Sequence, residues 1–342
     1  MAGYIASPGA GCNGARATTA HLPLPGRVAI GNPNDFGDLT QLSEAADPWR
    51  RVSVVTVTHH SAAVIESCLR SVAAAAAILV VDNASSDATL DLVRRTVPAA
   101  RIIANRRGVG FGNGANQGLA EVRTEFALLI NPDAVLRPGA LAELLAAADR
   151  YPDAAMLAPR VFHPDGHLEF IHNVSLLERP AYAARRDDPA PAGDLCAGYL
   201  SGAVNLVRMS ALRPQGGYDP RIFLYYEDDD LCIRLRRAGG SLLLVAAAEA
   251  EHIGGGSIRR GWDKVWEKFW HMSWSRLYIE QKYRGRSAML RTALPNLARY
   301  AGKTLGNLAI LNRTKLVRDA ARFSGTLAYL LGLSATRKAP KG

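Results

Sequence analysis

Phe126-Ala127-Leu128-Leu129-Ile130-Asn131-Pro132-Asp133 is five apolar residues running directly into a proline and then a carboxylate. An uninterrupted apolar run of this length, bounded by a turn signal, reads as a strand buried on both faces. Pro132 has no amide hydrogen to give to a sheet ladder, so the strand stops there. Asp133 is left just past its carboxyl end, where open α/β sheets bind ligands. Two readings of Asn131-Pro132-Asp133 follow from its own chemistry: an ordinary turn, or a strand-end carboxylate that holds a metal. The rest of the chain has to decide between them.

Working upstream, Arg51–Thr58 is β-branched and reads as a strand, Ala62–Ala77 as a helix, and Ile78–Val81 as a second strand. A polar loop, Asp82 to Asp87, leads to a helix over Ala88–Val97, a short strand over Arg101–Ala104, a glycine-rich loop from Asn105 to Asn113, and a helix over Ala115–Val122. Downstream, Pro138–Arg150 reads as a helix, Met156–Phe162 and Leu168–Val174 as strands around a turn, and Glu178–Gly193 as a mobile, proline-rich segment. Tyr199–Val207 reads as a strand, Leu231–Ala238 as a helix, Ser241–Ala248 as a strand, and His252 as part of a glycine-rich turn. Strands alternating with helices, with a polar loop after each strand, predict a mostly parallel, doubly wound α/β sheet whose site lies along one edge.

The chain has 342 residues and 48% hydrophobic content, enough for one large α/β domain with additions. Its four cysteines show no paired spacing, so neither a disulfide framework nor a zinc ribbon is indicated, and a reducing compartment fits. No basic region followed by an apolar core opens the chain, and no run of 18 apolar residues occurs, which disfavours secretion and membrane spanning. The net charge of +10 is uneven: Ser257–Gly342 holds 18 Lys and Arg against 4 acidic residues, leaving the rest of the chain negative. An anionic partner therefore belongs to the tail. There Trp262, Trp266, Phe269, Trp270 and Trp274 recur at helical spacing, which suits either packing on the main domain or an interfacial helix on an anionic membrane surface. No recognised nucleic-acid module accompanies the tail, so nucleic acid is not expected as a partner.

Glu227-Asp228-Asp229-Asp230 lies between apolar Phe223–Tyr226 and Leu231–Ile233. Four consecutive carboxylates repel one another unless solvated or neutralised, and apolar flanks hold this run against the core. Together with V-V-T-V-T-H-H-S, V-V-D-N-A-S-S-D-A-T, N-R-R-G-V-G-F-G-N-G-A-N-Q-G, L-L-I-N-P-D-A, Leu200-Ser-Gly-Ala203 and E-H-I-G-G-G-S, it makes an ordered set over residues 51–258. As a set the motifs resemble the inverting nucleotide-sugar glycosyltransferases of family 2, most closely the rhamnosyltransferase-like branch.

That resemblance implies a GT-A fold over residues 49–258, with a nucleotide-sugar-binding half (49–135) and an acceptor half (136–258). It would be preceded by a loose arm (1–48) and followed by a basic helical extension (259–342). It implies that Thr58, Asp82 and Asn83 contact the nucleoside, that Gly112 and Asn116 line the donor pocket, and that Asn131 and Asp133 stand in for the family's Asp-x-Asp element. Asp133 would then hold Mg2+ or Mn2+ on the diphosphate, with His252 as second ligand. Asp228 would be the general base, with Glu227 and Asp230 placing the acceptor or the base. It further implies a nucleotide-sugar donor (dTDP-rhamnose), a glycan or polyprenyl-linked acceptor, and a cytoplasmic site at the inner face of the plasma membrane.

The residue types suit this chemistry, since a leaving diphosphate needs charge stabilisation and inversion needs a base on the opposite face of the sugar. Where the family has Thr-Tyr-Asn after the first strand, this chain has Thr58-His59-His60, which puts the base-stacking contact in question. Asn113 falls where a dinucleotide fingerprint needs its third glycine or alanine, which excludes a Rossmann dehydrogenase. A nucleotidyltransferase acting on a sugar phosphate and a non-catalytic, membrane-attached glycan-binding protein are the alternatives. The absence of a lysine near the glycine loop counts against the first, and the joint presence of Asp82, Asp133, Asp228 and His252 against the second.

Overall fold

The computed structural model describes residues 47–169, 172–173, 175–178, 191–253 and 261–336. The expected N-terminal arm up to residue 46, most of the 178–193 segment and the glycines after Ile253 lie outside the described residues.

The opening motif is β4 of a mixed sheet. The strands in chain order are β1 (Val52–Thr58), β2 (Ala77–Asp82), β3 (Arg101–Ala104), β4 (Phe126–Ile130), β5 (Ala134–Leu136) and β6 (Ala154–Phe162). They continue with β7 (Leu168–Glu169), β8 (His172–Asn173), β9 (Leu195–Cys196), β10 (Tyr199–Leu200), β11 (Val204–Arg208) and β12 (Ser241–His252). The helices are α1 (Ile65–Ser71), α2 (Thr89–Thr96), α3 (Phe111–Glu121), α4 (Ala140–Arg150), α5 (Met209–Leu212), α6 (Glu227–Arg237), α7 (Trp262–Ala309) and α8 (Arg313–Leu330).

The main sheet runs β3-β2-β1-β4-β11-β6-β12-β5. β3, β2, β1 and β4 are mutually parallel, β11 is antiparallel to both β4 and β6, and β12 is parallel to β6. The chain winds outward from β1 to β3 and then returns to β4 on the other side of β1. This is a topological switch point, and it opens a crevice at the carboxyl ends of β1 and β4. Every residue of β1 and β4 is buried, as expected for parallel strands covered on both faces.

Three of the boundaries that differ from the sequence reading have a clear physical reason. Helix α3 begins at Phe111 inside the expected glycine loop, because Gly110 takes the left-handed turn (φ 91°) that starts it and the following glycines let the helix approach the sheet. A Cβ on Gly118 would sit 2.5 Å from Val55 Cγ1. The acidic run is the first turn of α6 rather than a loop before it, where the positive end of the helix dipole favours carboxylates. Strand β12 continues through His252, which was expected in a turn, because its last residues pair with β5.

Cys68 and Cys232 are free and buried.

In the tail, Gly285 interrupts α7 with φ 83° and ψ 173°. Pro295 is accommodated inside the helix. The aromatic stripe divides: Trp270 and Trp274 pack with Ile222, Phe223 and Tyr226 just before α6, whereas Trp262 and Trp266 are exposed. None of the described helices is long and apolar enough to cross a membrane.

Candidate active site

Thr58 closes β1 and Asp82 closes β2, and the two are register partners. The Asn83 amide donates to Thr58 O at 2.8 Å, binding the two strand ends together. Asp82 Oδ2 accepts from the Ser85 amide at 3.0 Å. Asp82 Oδ1 and Thr58 Oγ1 are buried without a hydrogen-bond partner. Buried polar atoms are almost always paired, and these two orphaned oxygens belong to register partners at the carboxyl ends of neighbouring strands.

The other donor-side residues brace the crevice. Asn83 Nδ2 donates to Gly110 O at 3.0 Å, while its Oδ1 accepts from Asn105 Nδ2 at 3.1 Å, so the side chain ties two loops together. Asn116 Nδ2 donates to Tyr218 O at 2.9 Å and Asn116 Oδ1 accepts from the Tyr218 amide at 2.8 Å. Gly112 packs on the Tyr218 side chain. Gly112 and Asn116 thus clamp Tyr218. His59 and His60 form a wall: His59 Nδ1 meets Asn83 O at 2.8 Å, His60 Nδ1 meets His59 Nε2 at 3.0 Å, and His60 Nε2 meets Ser86 Oγ at 3.0 Å.

Asp133 is buried just past Asn131-Pro132, and the Asn131 amide donates to Ala203 O at 2.9 Å. His252 pairs in register with Ala134, one residue beyond Asp133. Two residues far apart in sequence are thereby adjacent, with His252 Nε2 lying 3.2 Å from Asp133 Oδ1. Behind the imidazole, Nδ1 meets Glu169 Oε2 at 2.8 Å. Burial works against the charged ring, but the Asp133 and Glu169 carboxylates outweigh it and raise His252 to about 9. Glu169 carries no sequence motif, and its role became visible only through β7.

Among the described residues there is no group of three or more His, Cys, Asp or Glu arranged to hold a metal. The donor chemistry nonetheless fits a divalent cation that takes its remaining ligands from a substrate diphosphate. One carboxylate and one imidazole converge, and the imidazole is oriented from behind by a second carboxylate, the pattern that supports metal-ligating histidines.

On the facing side, Tyr225 and Tyr226 both adopt the left-handed region (φ 66° and 68°) immediately before α6. Two such non-glycine residues in succession cost on the order of 1–2 kcal/mol each and fix where the first turn of the helix starts. Asp228 Oδ2 accepts from the Gly202 amide at 3.2 Å, and Asp228 Oδ1 is buried without a partner. Burial, then the charge of Asp229, push Asp228 up to about 7, against the lowering effect of the Gly202 amide and the Tyr218 hydroxyl. Glu227 is raised well above the carboxylate range by burial and by Asp228, and its Oε2 is likewise unpaired.

The Asp230 carboxylate is fully buried and taken up by Lys282 at 2.5 Å, Tyr283 at 2.7 Å and Arg234 at 2.8 Å. Residues two apart on a helix do not share a face, and Asp230 anchors α7 to α6. A cavity of about 350 Å3 lined by Asp219, Arg221, Arg234 and Lys282 belongs to this anchor and includes none of Asp82, Asp133 and Asp228.

Gly202 and Ala203 connect the two sides, since Gly202 holds Asp228 and Ala203 holds the end of β4. A Cβ at Gly202 would lie 2.7 Å from both Asp228 oxygens. Gly202→Ala is therefore expected to lower turnover about tenfold or more by displacing Asp228, with donor affinity little changed. Separate measurement of kcat and donor Kd checks this, and an unaltered kcat would count against it.

Glycosyl transferase family 2 matches residues 53–203. The N-acetylglucosaminyl-diphospho-decaprenol L-rhamnosyltransferase of Mycobacterium tuberculosis, in strains H37Rv and CDC 1551, is 30% identical over 229 residues, covering 58% of this chain and 75% of the relative. The chain belongs to glycosyl transferase family 2. Its curled mixed sheet with flanking helices and a helical C-terminal region is the GT-A arrangement, and the protein is a glycosyltransferase. Among solved structures, this glycosyltransferase is similar to S. aureus TarS 1–349, with 14% identity, a TM-score of 0.47 and coverage of 82% of this chain and 92% of that one. It is also similar to GalNAc-T7 crystallised with UDP, GalNAc and Mn2+, with 14% identity and a TM-score of 0.46. There the match covers 59% of this chain but only 42% of the other.

Proposed function

We propose that this family 2 glycosyltransferase is metal-dependent and inverting, and that it moves rhamnose from dTDP-rhamnose to a hydroxyl of a polyprenyl-linked acceptor in cell-envelope glycan assembly. The observation that carries the reading is Asp228. Its Oδ1 is buried and unpaired in the first turn of α6, and Gly202-Ala203 ties that turn to the strand end that bears Asp133. The mycobacterial relative's name supports the rhamnosyl donor and the polyprenyl acceptor. Residues 49–258 form the catalytic unit in this reading, and the basic extension after them works at the anionic inner face of the plasma membrane.

The nucleoside would be held by Asp82 Oδ1 and Thr58 Oγ1, the two orphaned oxygens at the ends of β2 and β1. Asp133 and His252 would hold a Mg2+ or Mn2+ ion, which when bound supplies positive charge beside the diphosphate. Asp228 Oδ1 takes the proton from the acceptor hydroxyl as that oxygen bonds to the anomeric carbon. The bond from that carbon to the diphosphate oxygen breaks on the opposite face, and the nucleoside diphosphate leaves with the electron pair. A panel of nucleotide sugars incubated with Mn2+ or Mg2+ and a prenyl-diphosphate-linked sugar tests this. Release of dTDP from dTDP-rhamnose is expected. Release of pyrophosphate from a nucleoside triphosphate and a sugar phosphate, or no turnover of any donor, overturns it.

A further inference from the structure

The hairpin formed by α7 and α8 ends in a turn whose surface is the reverse of what a solvated turn should be. Leu305, Leu308, Ile310 and Leu311 are 68%, 55%, 68% and 82% exposed, all within seven residues. Leu311 also adopts φ 54°, a backbone region that disfavours any side chain with a Cβ and is usually given to glycine or asparagine. A large apolar side chain on a disfavoured turn, facing outward, has no packing role within the fold.

The turn is held firmly from below. Asn307 Nδ2 donates to Asp319 Oδ2 at 2.9 Å, and the buried Asp319 is paired with Arg318 at 3.0 Å. Asn312 Oδ1 accepts from the Lys315 amide at 3.1 Å, capping α8. At its root, the hairpin is fixed to the catalytic half by Lys282, which bridges Asp219 at 2.7 Å and Asp230 at 2.5 Å. The apolar tip is therefore displayed by a braced arm.

Its charge identifies the partner. Between Gln281 and Arg318 the sequence has nine Lys and Arg and no acidic residue. Of these, Arg299, Lys303, Arg313 and Lys315 are exposed near the turn. A second copy of the chain docking on the same tip would bring these like charges together. An apolar knob ringed by cations instead matches a bilayer with anionic headgroups, where leucines enter the boundary of the acyl region and the cations meet lipid phosphates.

We propose that the α7–α8 turn, through Leu305, Leu308, Ile310 and Leu311 with Lys303, Arg313 and Lys315, is a membrane-docking tip that inserts shallowly into an anionic lipid surface. Trp270 and Trp274 are committed to internal packing and are not part of this surface. The inference rests on the proposed function only for the location of the acceptor, since lipid binding is measured without catalysis.

The test uses the full chain and sedimentation with phosphatidylglycerol or phosphatidylcholine vesicles. The native chain should pellet with the anionic vesicles and lose binding as salt rises. Leu308→Ser/Ile310→Ser/Leu311→Ser should bind at least about tenfold more weakly, with an unchanged melting temperature and unchanged turnover on a water-soluble acceptor. In Lys303→Gln/Arg313→Gln/Lys315→Gln, each charge removed should cost about fivefold in binding to anionic vesicles. Equal vesicle binding by the triple-serine variant overturns the proposal. So does a concentration-dependent dimer that the same variant abolishes. If no sugar donor is turned over but the tip still binds vesicles, the catalytic reading fails and this one stands.

Discussion

Asp133→Asn is expected to weaken Mn2+-dependent binding of the nucleotide sugar by about 100-fold or more while leaving metal-free binding near its native value. The substitution is nearly isosteric, and the backbone contact from the Ile253 amide to Asp133 O at 3.0 Å does not depend on the side chain. Pro132 still ends the strand, so the local fold should survive. What disappears is the anionic member of the two proposed metal ligands, and loss even of an outer partner of a metal ligand costs roughly 10- to 100-fold in affinity. His252 should respond as well. Asp133 is the stronger of the two carboxylates that hold it at about 9, so removing that charge moves its titration downward. Calorimetry with and without Mn2+ reads the affinity, and an NMR titration of the His252 ring reads the pKa. Undiminished Mn2+-dependent affinity would take Asp133 out of the metal site.

The strand ends were legible because parallel strands buried on both faces show in sequence as unbroken apolar runs, and their first polar residue falls at the crevice. Thr58, Asp82 and Asp133 were found in that way, and the structure places each at a carboxyl strand end. The pairing of β12 with β5 was hidden. Glu249-Ala250-Glu251-His252 alternates charged and small residues, and β5 is only three residues long, so neither looks like a buried strand. The charges there are satisfied laterally, by Arg137 on Glu249 and Glu251 and by Arg160 on Glu249. Periodicity cannot register such cross-strand pairs.

The partners of Asp230 were hidden for a related reason. A run of four acids gives no hint of which side chain turns inward, and the cation that claims Asp230 most closely, Lys282, lies 52 residues away. Tyr218 and Glu169 carry no local signal at all. They enter the site through folding of the chain around Asn116 and through β7, respectively.

Asp228→Asn should reduce turnover by about a thousandfold, within the usual contribution of a positioned general base and equivalent to about 4 kcal/mol in the barrier. Donor affinity should change by less than about twofold, because Asp82 and Asp133 lie on strand ends and not on α6. The amide can still accept from Gly202, so the first turn of the helix should keep its shape. The pH profile gives the sharper reading. Asp228 is raised to about 7 by burial first and then by Asp229. A base is useful only when deprotonated, so the native rate should rise with pH through about 7 and level off above it. In the variant the profile should be flat and low across that window. A variant that keeps the rise near 7 while losing little turnover would pass the base role to Glu227. That neighbour is also buried, and its Oε2 is the other unpaired carboxylate oxygen of the same helical turn. Because Glu227 is held well above the carboxylate range by burial and by Asp228, removal of the Asp228 charge should lower it, and any residual activity should then appear with its own, separately titrating limb.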